Sequence, residues 1–297
     1  MNHDPFNKPS TEAIDNTSRN AKIVRNITLS IVMIFLVIIS LVVLYPLVFV
    51  FSAAFSPGSS IASLSIVPFG DGFTIEHFRY LWLESNYPRW FLNTFRVAIS
   101  TSVGTVIIAS LSAYSFSRFR FVFKKTLMMS LLVLQIFPAF VGMVAIFVIM
   151  VRIDMFDNLN GLVLVYLAMN IPFNTWLVKG YLDTIPRSVD EAARIDGASH
   201  LRIFFMIILP IAKPILTFLA ITTFTGPWMD FIIPNLLLRS SENQTLALGL
   251  FTFVLDDTRN EFTRFAAGSV TVAVPFIIAF VVTQKMLIAS LSGAVKE

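Results

Sequence analysis

The sequence contains no cysteine, so neither a disulfide framework nor a thiolate metal site can be built from it. Histidine is nearly as scarce: His3, His77 and His200 are widely separated, which leaves little material for a histidine metal site or a Ser/His/Asp arrangement. No Gly-x-x-x-x-Gly-Lys-Ser/Thr run occurs, and ATP binding through a P-loop is thereby excluded. Charge is thin as well, at 13% of residues. The net charge of +4 comes from basic residues lying beside apolar runs, so nucleic-acid binding is not implied.

What the chain has in abundance is apolar surface: 56% of its 297 residues are hydrophobic, and 30 are Phe. Several runs reach about 20 nearly charge-free residues, the length needed to cross a bilayer as a helix. The expected class is an all-α membrane protein, with spans at about 27–53, 95–117, 126–151, 161–182, 209–232 and 266–289. The run Ile27 to Phe51 is too long for a signal-peptide core and reads as a retained first span. Residues 1–26 form a polar, mobile N-terminal tail, 27–89 the first span and an outer loop, and 90–297 the main transmembrane domain.

Orientation follows from Lys and Arg. An arrangement with both termini cytoplasmic places 15 of the 22 basic residues inside, which the positive-inside rule selects. The segment from Asp183 to Ile208 then faces the cytoplasm, and two outer loops remain, Ser56 to Asn93 and Ile233 to Phe265. Pro46, Pro138, Pro172, Pro214, Pro227 and Pro275 lie in or near spans, where each removes a backbone donor and can kink a helix.

Gln135, Asn170, Asn174, Trp176, Thr222, Thr223, Thr225 and Trp228 sit at membrane depth. Amides and hydroxyls for OH groups, with aromatic faces for C–H surfaces, suit a polyhydroxylated solute, and Gln135, Asn170, Asn174, Thr222 and Trp228 are the candidate pathway-lining set. Hydrogen bonding between helices accounts for the same residues, and both readings stand at this point. Ionisable groups within the spans are few, which argues against an ion-coupled carrier. Asp230, near the outer end of the fifth span, reads as an interfacial carboxylate.

One segment breaks the apolar pattern with charge and structure. Pro186 stops the fourth span, and Ser188-Val189-Asp190-Glu191 has the form of a capping box, predicting a short helix from Val189 with Ser188 at its N-cap. Ala192 and Ala193 give that helix a small-residue surface, and Gly197 lets it end or bend. A second helix from about His200 then runs through Leu209 into the next span, completing an elbow.

Glu191-Ala192-Ala193-x-x-Asp196-Gly197-Ala198, with Leu209-Pro210 and Pro214 in register, resembles the EAA loop of the permease subunits of binding-protein-dependent ABC importers. Phe91-Leu92-Asn93-Thr94, Ala113-Tyr114-x-x-x-Arg118 and Lys179-Gly180-Tyr181 support the likeness. Leu44-Tyr45-Pro46, Leu236-Leu237-Leu238-Arg239 and Thr245-Leu246-Ala247-Leu248-Gly249 look most like the MalG-type subunit of maltose and maltodextrin importers. The resemblance implies the ABC type I importer permease fold in the cell membrane, with six spans and a cytoplasmic coupling helix in the loop at about 186–210. It implies a non-enzymatic subunit that binds no cofactor, ATP and Mg being held by a partner. Those partners are a second permease subunit, two copies of a cytoplasmic ATPase and an extracytoplasmic solute-binding protein. It assigns ATPase coupling to Glu191, Ala192, Ala193, Asp196, Gly197, Ala198, Leu209 and Pro210, and contact with the binding protein to the loop from about Ile233 to Phe265. Maltodextrin is the implied solute, with raffinose- or alginate-type oligosaccharides as the alternative.

Overall fold

A computed structural model describes residues 11–136, 139–255 and 260–293. Helices account for nearly all regular structure, and no strand occurs among the described residues. In chain order they are α1 (Thr11–Phe55), α2 (Glu76–Leu83), α3 (Tyr87–Arg118), α4 (Lys124–Ile136), α5 (Ala139–Arg152), α6 (Leu159–Asp183), α7 (Arg187–Ile195), α8 (His200–Ile203), α9 (Leu209–Ile211), α10 (Lys213–Met229), α11 (Ile232–Leu237), α12 (Leu246–Leu255) and α13 (Phe262–Gly293). A π-helical turn, Phe204–Ile208, joins α8 to α9.

The bundle is organised around α3, which packs most extensively on α6 and α10. Its sequence explains why. Ala98, Thr101, Ser102, Thr105, Ala109 and Ala113 recur at helical spacing and are all buried, a small-residue stripe that lets neighbouring backbones approach. Ser102 Oγ donates to the Ala220 carbonyl of α10 at 2.8 Å, tying the two helices together across their contact. By contrast, residues 25–48 of α1 are exposed all round, although α1 holds the most apolar of the candidate spans among the described residues. A helix apolar on every side and unburied by its own chain requires lipid or another subunit as its solvent.

Among the described residues, three helices, α1, α3 and α6, are long and apolar enough to cross a membrane. The number rises to five if each bent pair, α4 with α5 and the His200–Ile211 segment with α10, counts as one span. The predicted single helix over 126–151 is thus two helices whose axes are inclined by 107°. Pro138, which the sequence places at this point, lies outside the described residues, as do Arg259, residues 1–10 and residues 294–297.

Residues 11–26, expected to be a mobile tail, instead extend α1 toward the N-terminus. Nothing between Thr11 and Tyr45 is Gly or Pro, so the long apolar helix propagates through them once formed. The outer loop expected after the fifth span also contains structure. In α12 of that loop, Leu246, Ala247, Leu248, Gly249, Leu250 and Phe253 are buried. Gly249 is required there, since a Cβ atom would lie 2.2 Å from the Trp90 ring. The indole of Trp90 donates to the Ser241 carbonyl at 3.1 Å, fixing the ring over that glycine.

Candidate functional site

Two features stand out, an elbow at one end of the bundle and a cavity with polar groups in its wall nearer the other. The elbow begins at α7. Pro186, not Ser188, occupies its N-cap, and the helix starts at Arg187, two residues before the expected Val189. Pro186 has extended ψ and places Ser188 inside the first helical turn, where its backbone cannot adopt the N-cap conformation that side-chain capping requires. The capping box is therefore not formed.

The C-terminus of α7 follows the sequence reading closely. Gly197 has φ +81°, the Gly197 N–H donates to the Arg194 carbonyl at 3.0 Å, and the Ala198 N–H donates to the Ala193 carbonyl at 3.0 Å. This is a Schellman termination, which satisfies two otherwise orphaned carbonyls and needs a left-handed residue at Gly197. The next helix is capped at once: Ser199 Oγ accepts from the Arg202 N–H, and α8 begins at His200 as expected.

Beyond α8 the chain cannot stay regular. Pro210 lacks the N–H that would reach back to Met206, and the preceding residues relax into the π turn. At Ala212 the His200–Ile211 segment meets α10 at 78°, with Pro214 in the first turn of α10.

The elbow is fastened to the bundle by charge. Arg118 Nε at the end of α3 lies 2.9 Å from Asp190 Oδ2 of α7, with side chains only 7% and 13% exposed. The contact is ionic, without the alignment of a hydrogen bond. Arg118 also donates to the Ile185 carbonyl at 3.1 Å, Arg187 to the Ser117 carbonyl at 3.2 Å, and Ser117 Oγ to Asp183 at 2.7 Å. The Arg of the Ala113-Tyr114-x-x-x-Arg118 motif thus ties α3 to the elbow. Lys179 and Tyr181 of the second motif pair with Asp183 and bond to the Ile211 carbonyl.

The expected coupling residues divide into two sets. Glu191, Ala192, Asp196, Gly197 and Pro210 are exposed, and Ile195, which the motif leaves unspecified, is 87% exposed. Ala193 is buried in the core at this end, with Ala198 and Leu209 partly buried against it. The expectation that Ala193 offers a close-contact surface is corrected here: position 193 lies four residues after Val189 on the inward face of α7 and meets the bundle.

The cavity, of about 320 Å³, lies between α6 and α10 and is lined by Tyr166, Met169, Asn170, Thr222, Thr223, Gly226, Pro227 and Asp230. Of the candidate pathway-lining residues it brings together Asn170 and Thr222. Gln135 is exposed but away from it. Asn174 is buried, its amide donating to the Asn170 carbonyl at 2.8 Å. Trp228 is also buried, meeting Phe91, Phe95 and Phe276 edge to face and Phe224 at a tilt. A solute could reach neither in this structure. Tyr166 and Asp230 were missed as members of the site: Tyr166 Oη donates to Asp230 Oδ2 at 2.8 Å, while the Ile232 and Ile233 N–H groups donate to Oδ1. An Asp two residues before an apolar helix start was the available signal.

At the same end, two motifs form a clasp. Asn93 donates to the Glu242 and Gln244 carbonyls at 2.8 and 2.9 Å, and Thr94 Oγ1 accepts the Leu246 N–H at 2.7 Å. Asp157, at φ +52°, accepts the Arg239 and Ser240 backbone N–H groups at 2.9 and 3.1 Å, while the Arg239 guanidinium donates to the Asn235 carbonyl at 3.2 Å. Partial burial raises its carboxyl pKa, but these hydrogen bonds outweigh that and hold it below the ordinary value. A larger cavity, about 730 Å³, opens between α2 and the start of α13, where Arg264 is paired with Glu261 at 2.6 Å and sits 3.6 Å over the Tyr80 ring.

Apolar helices with a cavity between two of them that carries polar groups, and an amphipathic elbow at one end, are the build of a membrane transport component. The chain belongs to the family of binding-protein-dependent transport system inner membrane components, whose family model matches residues 105–289. It is similar to the maltodextrin transport system permease protein MdxG of Bacillus subtilis, 38% identical over 92% of this chain and 98% of that protein. The galactooligosaccharides transport system permease protein GanQ of the same organism is 37% identical over 92% and 96%. Among solved structures, a bacterial ABC transporter involved in the import of the acidic polysaccharide alginate has a chain with the same fold. Its TM-score is 0.73 at 24% identity, covering 95% of this chain and 99% of that one.

Proposed function

We propose that this chain is the MalG-type permease subunit of an ATP-driven importer of neutral oligosaccharides, with maltodextrin the favoured solute. It forms half of the translocation pathway across six spans, with both termini cytoplasmic and the pathway wall including Asn170 and Thr222. A second permease subunit completes the pathway, and an extracytoplasmic solute-binding protein delivers the sugar. Two copies of a cytoplasmic ATPase hold ATP and Mg, while this subunit carries no reaction of its own.

The observation that carries the coupling reading is the elbow. Its outward face presents Glu191, Ala192 and Ile195, a polar group beside apolar ones, on a short helix closed at its C-terminus by the Gly197 turn. Such a face suits docking in an ATPase cleft, and the Arg118–Asp190 contact passes displacement of the docked helix to α3. ATP supplies the drive, so the elbow need only dock differently in two states. The sugar reading draws on the relatives named for maltodextrin and galactooligosaccharides and on a cavity lined by amide, hydroxyl and carboxylate groups.

The test is ATPase stimulation in the reconstituted complex by binding proteins loaded with defined sugars. Maltodextrin-loaded protein is expected to stimulate hydrolysis and sugar uptake together. A complex stimulated only by a non-saccharide solute would overturn the reading.

A further inference from the structure

The hydrogen-bonding capacity of the cavity between α6 and α10 is one-sided. Tyr166 spends its hydroxyl proton on Asp230, and Thr222 and Thr223 spend theirs on the Phe218 and Leu219 carbonyls of their own helix. Asn170 uses one amide proton on the Tyr166 carbonyl at 2.8 Å. What remains facing a guest is mostly acceptor: the spare lone pairs of the Asp230 carboxylate, the Asn170 amide oxygen and the Thr222 oxygen, Thr223 being buried. Pro227 adds to this, because it cannot donate to the Thr223 carbonyl four residues before it. Among the described residues, no Lys, Arg or His lines the cavity.

We infer that this cavity is a saccharide subsite contributed by this subunit, that it takes the hydroxyls of one uncharged sugar unit, and that Asp230 is the residue that discriminates against carboxylated sugars. The inference rests on the importer reading above and locates its preference for neutral sugars in one cavity and one residue. A guest must bring O–H donors to a wall of acceptors, which a neutral sugar does through several hydroxyls at once. Met169 and Pro227 give its C–H surface an apolar contact. A uronate would set its carboxylate against that of Asp230 with no cation to compensate, and like charges at close range are strongly disfavoured. At about 320 Å³ the space matches one ring of a longer chain, near the lower limit for small-molecule sites.

Asp230→Asn is an informative probe because the amide oxygen can still accept the Ile232 and Ile233 N–H groups, so the turn into α11 is kept while the charge is removed. The assembled transporter in nanodiscs, without its binding protein, would be titrated with maltotriose and with maltotrionic acid, a matched pair differing by a terminal carboxylate. In the wild type the neutral sugar is expected to bind about tenfold more tightly, and Asp230→Asn should narrow this to about threefold or less. Thr222→Val, which removes an acceptor, should weaken maltotriose binding by about fivefold. Binding unchanged in both variants would overturn the subsite, as would saturable sodium binding with no sugar binding. Sugar-stimulated uptake by the wild-type importer is measured alongside. If uptake persists while the variants behave as wild type, the subsite fails and the importer reading stands; if no sugar is taken up, the importer reading itself fails.

Discussion

Gly197 sits at φ +81° with open space where a Cβ would project, so any cost of substitution comes from the backbone and not from a clash. Gly197→Ala should destabilise the end of α7 by about 1–2 kcal/mol. The spans should still insert, with sugar uptake lost relative to ATP hydrolysis. Normal uptake per ATP in a normally assembled complex would remove the elbow from the coupling path. Asp157 makes a different prediction, in pH. Its folded-state pKa lies below the ordinary 3.8, so its bonds to Arg239 and Ser240 contribute fully above about pH 4 and are lost as pH falls through that lower value. Protection factors of the residue 239–240 amides, corrected for the pH dependence of intrinsic exchange, should fall on acidification below about pH 4, and Asp157→Asn should abolish most of that dependence.

At the scale of the element, α7 is held by one nearly buried ionic contact and a short inward face of Val189 and Ala193. Removing one partner of such a pair strands the other charge, at a cost of about 3–5 kcal/mol. Asp190→Ala or Arg118→Ala should therefore loosen the elbow strongly, whereas the double replacement Arg118→Met with Asp190→Leu should recover much of the stability. A thermal-melting cycle in detergent checks this, and additive losses in the double variant would show that the contact does not fasten α7. The misread start of the same helix is instructive. Ser188 and Glu191 have capping-box spacing, but Pro186 sets an extended ψ just before them and starts the helix earlier. Local spacing proposes a cap; the backbone of the preceding residue decides where it falls.

Across the whole molecule, much of the helical layout was legible because apolar length is written locally along the chain. The elbow was legible for a similar reason, since Gly197, Ser199 and Pro210 act on their own backbone. What the sequence concealed depends on which way a side chain faces after distant segments meet. Trp228 and Asn174 read as pathway groups because polarity at membrane depth is ambiguous; the bundle turned both inward. The Tyr166–Asp230 pair joins residues 64 apart, and no local pattern announces such a partnership. Ala193 could have been placed from its four-residue spacing to Val189, had periodicity been weighed above the motif.

The 78° turn at Ala212 makes the elbow and α10 the two arms of a crank. A thrust along one arm has little projection on the other, so a force applied at the elbow reaches α10 mainly as a tilt and hardly as a slide. Tilting swings the far end of a rod more than its pivot. The residues that move farthest are then those most distant from the bend, and Thr222, Gly226 and Asp230 lie in that order toward the far end of α10.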